Sequence, residues 1–153
     1  MVACLLTFAE YYREIYSQKE EQFFERHGRL LFMTFLTPLL NGQGFIHIET
    51  ALTDLRRMDL VVDFESELFA TQKAASRPCL SSRFIKEQFI VELKIWRGDA
   101  AKDRAYQQLL GCMETKNANE GYLLTFDFRK VKTGEHVAEW VDVGGKKVFD
   151  VVV

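Results

Sequence analysis

Two apolar stretches of the chain carry charged side chains where a plain β-strand would carry none. Over residues 89–96 the side chains alternate between two faces, so Glu92 and Lys94 share one face with large apolar neighbours. Over residues 57–62, Asp59 interrupts a second apolar run. Taking an ion pair out of water costs several kcal/mol unless it is well partnered. We therefore expect the folded chain to compensate the burial of these three charged side chains.

An aspartate, a hairpin-like return of the chain and then Glu-x-Lys is the active-site pattern of the PD-(D/E)XK, or restriction-endonuclease-like, superfamily, and this sequence resembles it. Asp59 and Glu92-Leu93-Lys94 carry the resemblance, while Met58 stands where the family has proline. The resemblance implies a metal-dependent nuclease, that is, a phosphodiesterase acting on nucleic acid, with DNA as the expected substrate.

The resemblance also implies a role for each residue. Asp59 and Glu92 would each place a carboxylate oxygen on Mg²⁺ or Mn²⁺, and the backbone carbonyl of Leu93 would be a third ligand, because hard divalent cations prefer oxygen. Lys94 would orient or deprotonate the attacking water. The alternative for Asp59, Glu92 and Lys94 is a structural ion network, which perturbs pKa values as an active site does.

Two further residues are candidates for the same site. Glu49, on the predicted neighbouring strand, could complete a first or second metal shell, or could be a solvent-facing strand residue. Gln108 matches by position the polar residue that related nucleases place on the helix after the lysine strand, where it contacts water or phosphate. Its alternative is an ordinary exposed helix residue.

The N-terminal part of the chain, residues 1–43, is expected to be helical. Apolar residues recur at helical spacing over residues 5–16, 17–27 and 28–40. The third of these patterns is apolar on nearly every side, which predicts a helix buried deeply against a sheet. Residues 41–44, Asn-Gly-Gln-Gly, supply its stop signal.

Strand signals dominate the remainder. Gly98-Asp99 offers a cap for one more helix, and Gly144-Gly145 marks a hairpin turn. The order helix, three strands, helix, strand is that of the superfamily. We therefore expect one α/β domain over residues 1–153: a restriction-endonuclease-like αβββαβ core with a central mixed sheet, extra N-terminal helices and a C-terminal β-hairpin. The predicted strands cover residues 45–50, 57–62, 89–96, 122–128, 137–143 and 147–153, and the predicted helix runs from about residue 100 to 116.

A narrower resemblance covers most of the chain from about residue 20 onward. Residues 41–44, 57–59, 92–94 and 121–127 are similar to a nuclease-like domain at the C-terminal end of certain bacterial ATP-binding proteins. This implies an ATPase domain or partner. The sequence has no G-x-x-x-x-G-K-[ST] motif, so we predict that this chain alone does not hydrolyse ATP. A detached domain and a complete small protein both remain open.

Composition limits the alternatives. The formal net charge of −2 argues against a generic basic nucleic-acid binder, so phosphate contacts would have to be local. The basic clusters lie at residues 56–57, 83–86, 94–97 and 129–132. The three cysteines are odd in number and far apart, which favours neither disulfides nor zinc and predicts a reducing cytoplasm. No apolar run approaches the roughly 20 residues that span a bilayer.

Residues 65–88 depart from the superfamily pattern, because they separate two strands that it often joins more tightly. A connection longer than about 12 to 15 residues is usually functional or disordered. We expect residues 76–82 to be poorly ordered or held by another chain. The alternatives are a longer hairpin, with Leu68-Phe69 and Phe84-Ile85 paired, or an arm that swaps onto a partner.

Aromatic and histidine residues add little evidence for function. The aromatic pairs at residues 11–12 and 23–24 are expected in the core, because single-strand binders build stacking platforms on a basic groove that this region lacks. His47 is expected to be a satisfied strand residue. His27 and His136 have no partners at metal-ligand spacing.

Two other functions stay open. One is a catalytically silent binding or regulatory module that keeps the nuclease fold. The mildly acidic balance favours it, whereas the intact Glu-x-Lys disfavours it. The other is a protein-interaction or dimerisation domain, a homodimer for example, in which residues 65–88 serve as the arm.

Overall fold

The computed structural model describes residues 1–15, 23–51, 57–70, 81–129 and 138–153. These residues form a mixed α/β fold with three helices and one six-stranded mixed sheet. None of the described helices is long and apolar enough to cross a membrane. The elements are α1 Val2–Ile15, α2 Glu25–Leu40, β1 Gly44–Ala51, β2 Arg57–Ala70, β3 Ser81–Ile95, α3 Asp99–Thr115, β4 Glu120–Phe126, β5 Ala138–Val143 and β6 Lys146–Val152.

The sheet combines an antiparallel half with a parallel centre. Its strand order is β1-β2-β3-β4-β6-β5. Strands β1, β2 and β3 are antiparallel neighbours, β4 lies parallel to both β3 and β6, and β5 is antiparallel to β6. Helix α3 makes the crossover that a parallel β3–β4 pair requires. All six predicted strands and the helix between the third and fourth are confirmed, with boundary shifts of a few residues except at β2 and β3.

Alternation along the strands gives the sheet two buried faces. Helices α1 and α2 cover one face, where the core contains aliphatic and aromatic residues from β2, β3, β4 and β6. Helix α3 covers the other face with a smaller core that includes Val61, Ile90, Leu109 and Leu123. Asp59, Glu92 and Lys94 have the strand parity of this second face. The charged residues therefore share the face that α3 covers only in part.

Helix α2 differs from the sequence prediction both in where it starts and in which sides are buried. It starts at Glu25 and runs through Gly28, so His27 belongs to its first turn and not to a separate helix. Residues 17–22 of the predicted second helix lie outside the described residues. Burial on nearly every side was wrong, since Leu30 is 64% exposed. The buried positions are spaced four apart, as one face of a helix requires: Gly28, Phe32 and Leu36.

The prediction of a long connection over residues 65–88 is wrong for most of its length. Strand β2 continues to Ala70 and β3 begins at Ser81, so the longer hairpin is confirmed. Leu68 pairs with Arg83, and Glu67 pairs with Phe84, a register different from the predicted one. Of residues 76–82, expected to be poorly ordered or held by another chain, Ser81 and Ser82 instead pair with β2 at the start of β3. Residues 76–80, and with them the swapped arm, lie outside the described residues. Below, the pairs from Glu65↔Lys86 to Ala70↔Ser81 are called the ribbon.

Gly28 allows α2 to lie close to the sheet. A Cβ at this position would lie 2.3 Å from Cε2 of Phe126, whose ring is fully buried. Helix propensity alone would favour alanine by about 1 kcal/mol. Overpacking of this kind costs about 1–3 kcal/mol. We therefore expect Gly28→Ala to lower the free energy of unfolding in urea, despite the better helix former.

Leu30→Ala is the matched control, because Leu30 lies on the exposed side of the same helix. It should change stability by no more than about 0.5 kcal/mol. A Gly28→Ala protein that is more stable than the wild type would show that α2 is not seated on Phe126 as described.

Candidate active site

Asp59, Glu92 and Lys94 meet where the pairing of β2 with β3 stops. The ladder between the two strands ends at Leu60↔Val91. One residue further, Oδ2 of Asp59 accepts a hydrogen bond of 2.9 Å from the backbone N–H of Leu93. A side chain thus takes the place of the strand partner for this N–H, which ties the carboxylate of Asp59 to the Glu-x-Lys segment.

The cation of Lys94 lies at the centre of the cluster. Its Nζ is 2.7 Å from Oε1 of Glu92, 3.9 Å from Oδ2 of Asp59 and 3.9 Å from Oε2 of Glu25. Arg29 approaches from α2, with Nη1 4.0 Å from Oδ1 of Asp59. The structure therefore brings the three predicted residues together and adds Glu25 and Arg29.

Burial separates the two carboxylates chemically. The side chain of Glu92 is 1% exposed and that of Asp59 is 16% exposed. Burial, together with the negative charge of Asp59, raises the pKa of Glu92 to about 7 even though Lys94 opposes the shift. Two carboxylates that resist being charged together form a site that a further cation would stabilise.

Lys94 remains a cation at neutral pH. Burial favours its neutral amine, but Glu92, Asp59 and Glu25 outweigh burial and raise the pKa of Lys94 above its ordinary value. A protonated ammonium can donate hydrogen bonds but cannot accept a proton. Of the two roles expected for Lys94, the arrangement favours orienting water or phosphate over deprotonating water.

Asp59 and Glu92 alone do not complete the shell of a hard divalent cation. Water or carbonyl oxygens would have to supply the remaining ligands. Within the described residues, no group of three or more His, Cys, Asp or Glu side chains is close enough to hold a metal ion. Oε1 of Glu92 is buried and accepts no hydrogen bond of good geometry, although Lys94 lies beside it. Mg²⁺ keeps several waters and needs only one or two carboxylates, so Asp59 and Glu92 fit it. The Leu93 carbonyl as a ligand stays a prediction.

Glu49 lies on β1 next to this corner of the sheet. Its backbone falls between the pairs Ile48↔Leu60 and Thr50↔Met58, level with Asp59. The side chain of Glu49 lies outside the described part of the structure, so its role as an additional ligand stays a prediction.

Gln108 lies in the cavity that Lys94 faces. This cavity, about 280 Å³ in volume, separates the end of β3 from α3, and Gln108 and Lys94 both line it. Three cations complete the basic part of its wall: Arg97, Lys102 and Arg104. The placement agrees with a polar helix residue that faces water or phosphate near Lys94. Its function stays a prediction.

A second buried carboxylate fixes one of these cations. Asp150 on β6 is fully buried. Its Oδ2 accepts a hydrogen bond of 2.6 Å from the hydroxyl of Tyr106 and forms an ion pair of 2.5 Å with Nζ of Lys102. Asp150 forms an ion pair with one cation, Lys102, whereas several carboxylates share the ammonium of Lys94. We interpret Asp150 as a structural anchor that holds Lys102 at the cavity.

Several of these residues could not be found by sequence reasoning. Glu25 and Arg29 are four residues apart on a helix, a spacing that any exposed ion pair also shows. Asp150 is one acidic residue in a predicted strand, with no signal that it would be fully buried. The basic segment at residues 94–97 was predicted, but the contribution of Lys102 and Arg104 from α3 was not.

The described histidines lie away from this site. Nε2 of His47 is 3.0 Å from Oδ2 of Asp63, which confirms a satisfied strand residue. Nδ1 of His27 accepts the N–H of Phe24 at the start of α2. His136 lies outside the described residues.

Comparison with protein-family models, curated proteins and solved structures gives no match to this chain. The function must therefore be argued from the site itself.

Proposed function

We propose that this chain is a divalent-metal-dependent phosphodiesterase of the PD-(D/E)XK type that acts on nucleic acid, in the first instance DNA. The observation that carries the proposal is the junction of β2 and β3. There Asp59 is bonded to the backbone of the Glu-x-Lys segment, and both carboxylates lie within 4 Å of the Lys94 ammonium. With Glu25, three carboxylates surround two cations, Lys94 and Arg29. A further cation would therefore be stabilised at this point.

The element order supports the finer fold assignment. Helix α2, strands β1, β2 and β3, helix α3 and strand β4 follow one another in the αβββαβ order of the restriction-endonuclease-like core. Helix α1 and the β5–β6 hairpin are then the additions at each end. The described cysteines, Cys4 and Cys112, are free thiols.

Each residue has a distinct task in this proposal. Bound Mg²⁺ or Mn²⁺ would lower the pKa of a water and offset charge on the phosphate. Asp59 and Glu92 would hold the ion, and the Leu93 carbonyl would be a third ligand. The Lys94 ammonium donates hydrogen bonds that orient the attacking water against the phosphate, and Gln108 positions the phosphate from across the cavity. Arg29 keeps the Asp59 carboxylate oriented.

The burial of Glu92 favours a second candidate. A side chain that is 1% exposed is typical of a structural role, so a nuclease-fold module that binds nucleic acid or an ATPase partner without cutting is the alternative. A protein-interaction domain that dimerises through the ribbon is a separate alternative.

A divalent-ion titration followed by calorimetry separates the two candidates. We expect the wild-type chain to take up Mg²⁺ and Mn²⁺ at millimolar concentration or below, and to cut nucleic acid only in their presence. Cutting should be weak if the chain works as part of a larger assembly. A wild-type chain that takes up neither ion would rule out the enzyme and leave the binding module.

A further inference from the structure

The cavity beside Lys94 continues into a second concavity at the start of α2. The second concavity is about 370 Å³ in volume and is lined by Phe24, Glu25, Arg26 and Arg97. Glu25 and Arg97 also line the first cavity, so the two are adjacent along one surface. We call the combined surface the basic track.

Positive charge is concentrated on the track although the whole chain is slightly acidic. Glu92 and Asp150 compensate the ammonium groups of Lys94 and Lys102. In contrast, the three arginines of the track form no ion pair with any carboxylate in the described part of the chain: Arg26, Arg97 and Arg104. Against them the walls of the two concavities present one carboxylate, that of Glu25. A surface of this kind attracts phosphates in series.

An exposed aromatic ring lies at one end of the track. Phe24 is 46% exposed, and the guanidinium of Arg26 lies 5.1 Å from its ring centroid. Its neighbour Phe23 packs on Phe126 and Phe128 in the core. The expectation that both aromatic pairs lie in the core is therefore wrong for Phe24, and it is also wrong for Tyr11, which is 56% exposed. The basic groove that the sequence near Phe24 lacks is formed by residues distant along the chain.

The partner of such a surface must offer both phosphates and base faces. In a duplex the base faces are stacked inside, so only unstacked bases can pack on Phe24. Basic grooves with exposed aromatic residues are how proteins bind single strands without sequence preference. We propose that the basic track binds single-stranded nucleic acid and delivers it to Lys94. This inference rests on the proposed function, for which it names the strandedness of the substrate.

Fluorescence anisotropy with a labelled single strand of about 12 nucleotides tests the inference. The measurement uses the full chain in EDTA, so that nothing is cut, and a blunt duplex of the same sequence for comparison. We expect the single strand to bind roughly 10-fold or more tightly than the duplex. Phe24→Ala should weaken single-strand binding by about 5- to 150-fold and leave duplex binding unchanged, whereas Phe24→Tyr should keep single-strand binding near the wild-type level.

The arginines are tested through the dependence of binding on salt. Arg97→Gln and Arg104→Gln should each lower the slope of log K against log salt concentration by about 0.7, the value for one lost phosphate contact with a single strand. Lys116→Gln is the matched control, since it removes one charge at the opposite end of α3. It should leave the slope unchanged.

The inference and the proposed function fail in different ways. Equal or tighter binding of the duplex, or a Phe24→Ala variant that folds and binds single strands normally, would overturn the track. If the track is overturned but the chain cuts duplex DNA with Mg²⁺, the proposed nuclease function still stands. Single-strand preference with the expected variant effects would support the track even if no divalent ion supported cutting.

Discussion

Asp59→Asn is expected to abolish divalent-ion uptake and cleavage together. The substitution keeps the shape of the side chain but removes the charge that attracts the ion. It also leaves Glu92 as the one charged member of the proposed ligand pair. Calorimetric titration with Mn²⁺ and a cleavage assay on the same preparation measure the two effects side by side.

Lys94→Ala should separate the same two effects. It removes a cation that competes with the metal ion, so uptake should survive or become tighter. It also removes the group that orients water, so the cleavage rate should fall by roughly 10² to 10⁴-fold, as is typical for lost acid–base or positioning groups. Lys86→Ala is the matched control on the same strand, where Lys86 pairs at 2.7 Å with Glu65 of the ribbon. It should leave cleavage unchanged.

The contrast between Asp59→Asn and Lys94→Ala decides what the cluster is. In a structural ion network both substitutions would lower the melting temperature, and neither would change any response to divalent ions. Loss of metal uptake in Lys94→Ala would likewise contradict the division of roles proposed here.

Glu92→Gln should make the metal-free protein more stable above neutral pH. Glu92 has a pKa of about 7 in the folded chain against an ordinary 4.5. Between these values the folded state holds a proton that the unfolded state has released, so stability is lost as the pH rises through this window. Glutamine stays neutral throughout. At pH 8 the variant should therefore gain up to about 3 kcal/mol over the wild type, and near pH 4.5 almost nothing.

Urea unfolding of both proteins at pH 4.5 and pH 8 measures this difference, since the other titrating groups cancel between wild type and variant. Adding Mg²⁺ at pH 8 should stabilise the wild type by mass action and leave Glu92→Gln unaffected. A Glu92→Gln protein that is less stable than the wild type at pH 8 would show that Glu92 is a structural anion.

From the sequence, only the site residues that carry charge inside an apolar run could be predicted. Asp59, Glu92 and Lys94 were identifiable because their burial has a cost that neighbouring residues do not explain. Glu25 and Asp150 carry the same chemistry but lie in ordinary surroundings along the chain. Their proximity to the cavity depends on how α2 and β6 are placed in three dimensions, which no local pattern encodes.

The fold shows the same division. Strand alternation and the glycine turn at residues 144–145 located the strands, because these signals are local. The orientation of α2 was not predictable, since a helix that is apolar all round does not reveal which side meets the sheet. Close approach of Gly28 to Phe126 settles that side, and it leaves Leu30 and Phe24 in solvent.

The ribbon extends beyond the rest of the sheet. Strand β1 pairs with β2 only as far as Gly44↔Phe64, and the pairing of β3 with β4 begins at Val91↔Tyr122. Beyond these points β2 and β3 have only each other among the described strands, and a two-stranded ribbon alone is marginally stable in water. Its local opening therefore costs far less free energy than global unfolding. The ribbon can therefore open and close locally many times without unfolding the rest of the chain, while the cavity beside Lys94 at the other end of β3 keeps its shape.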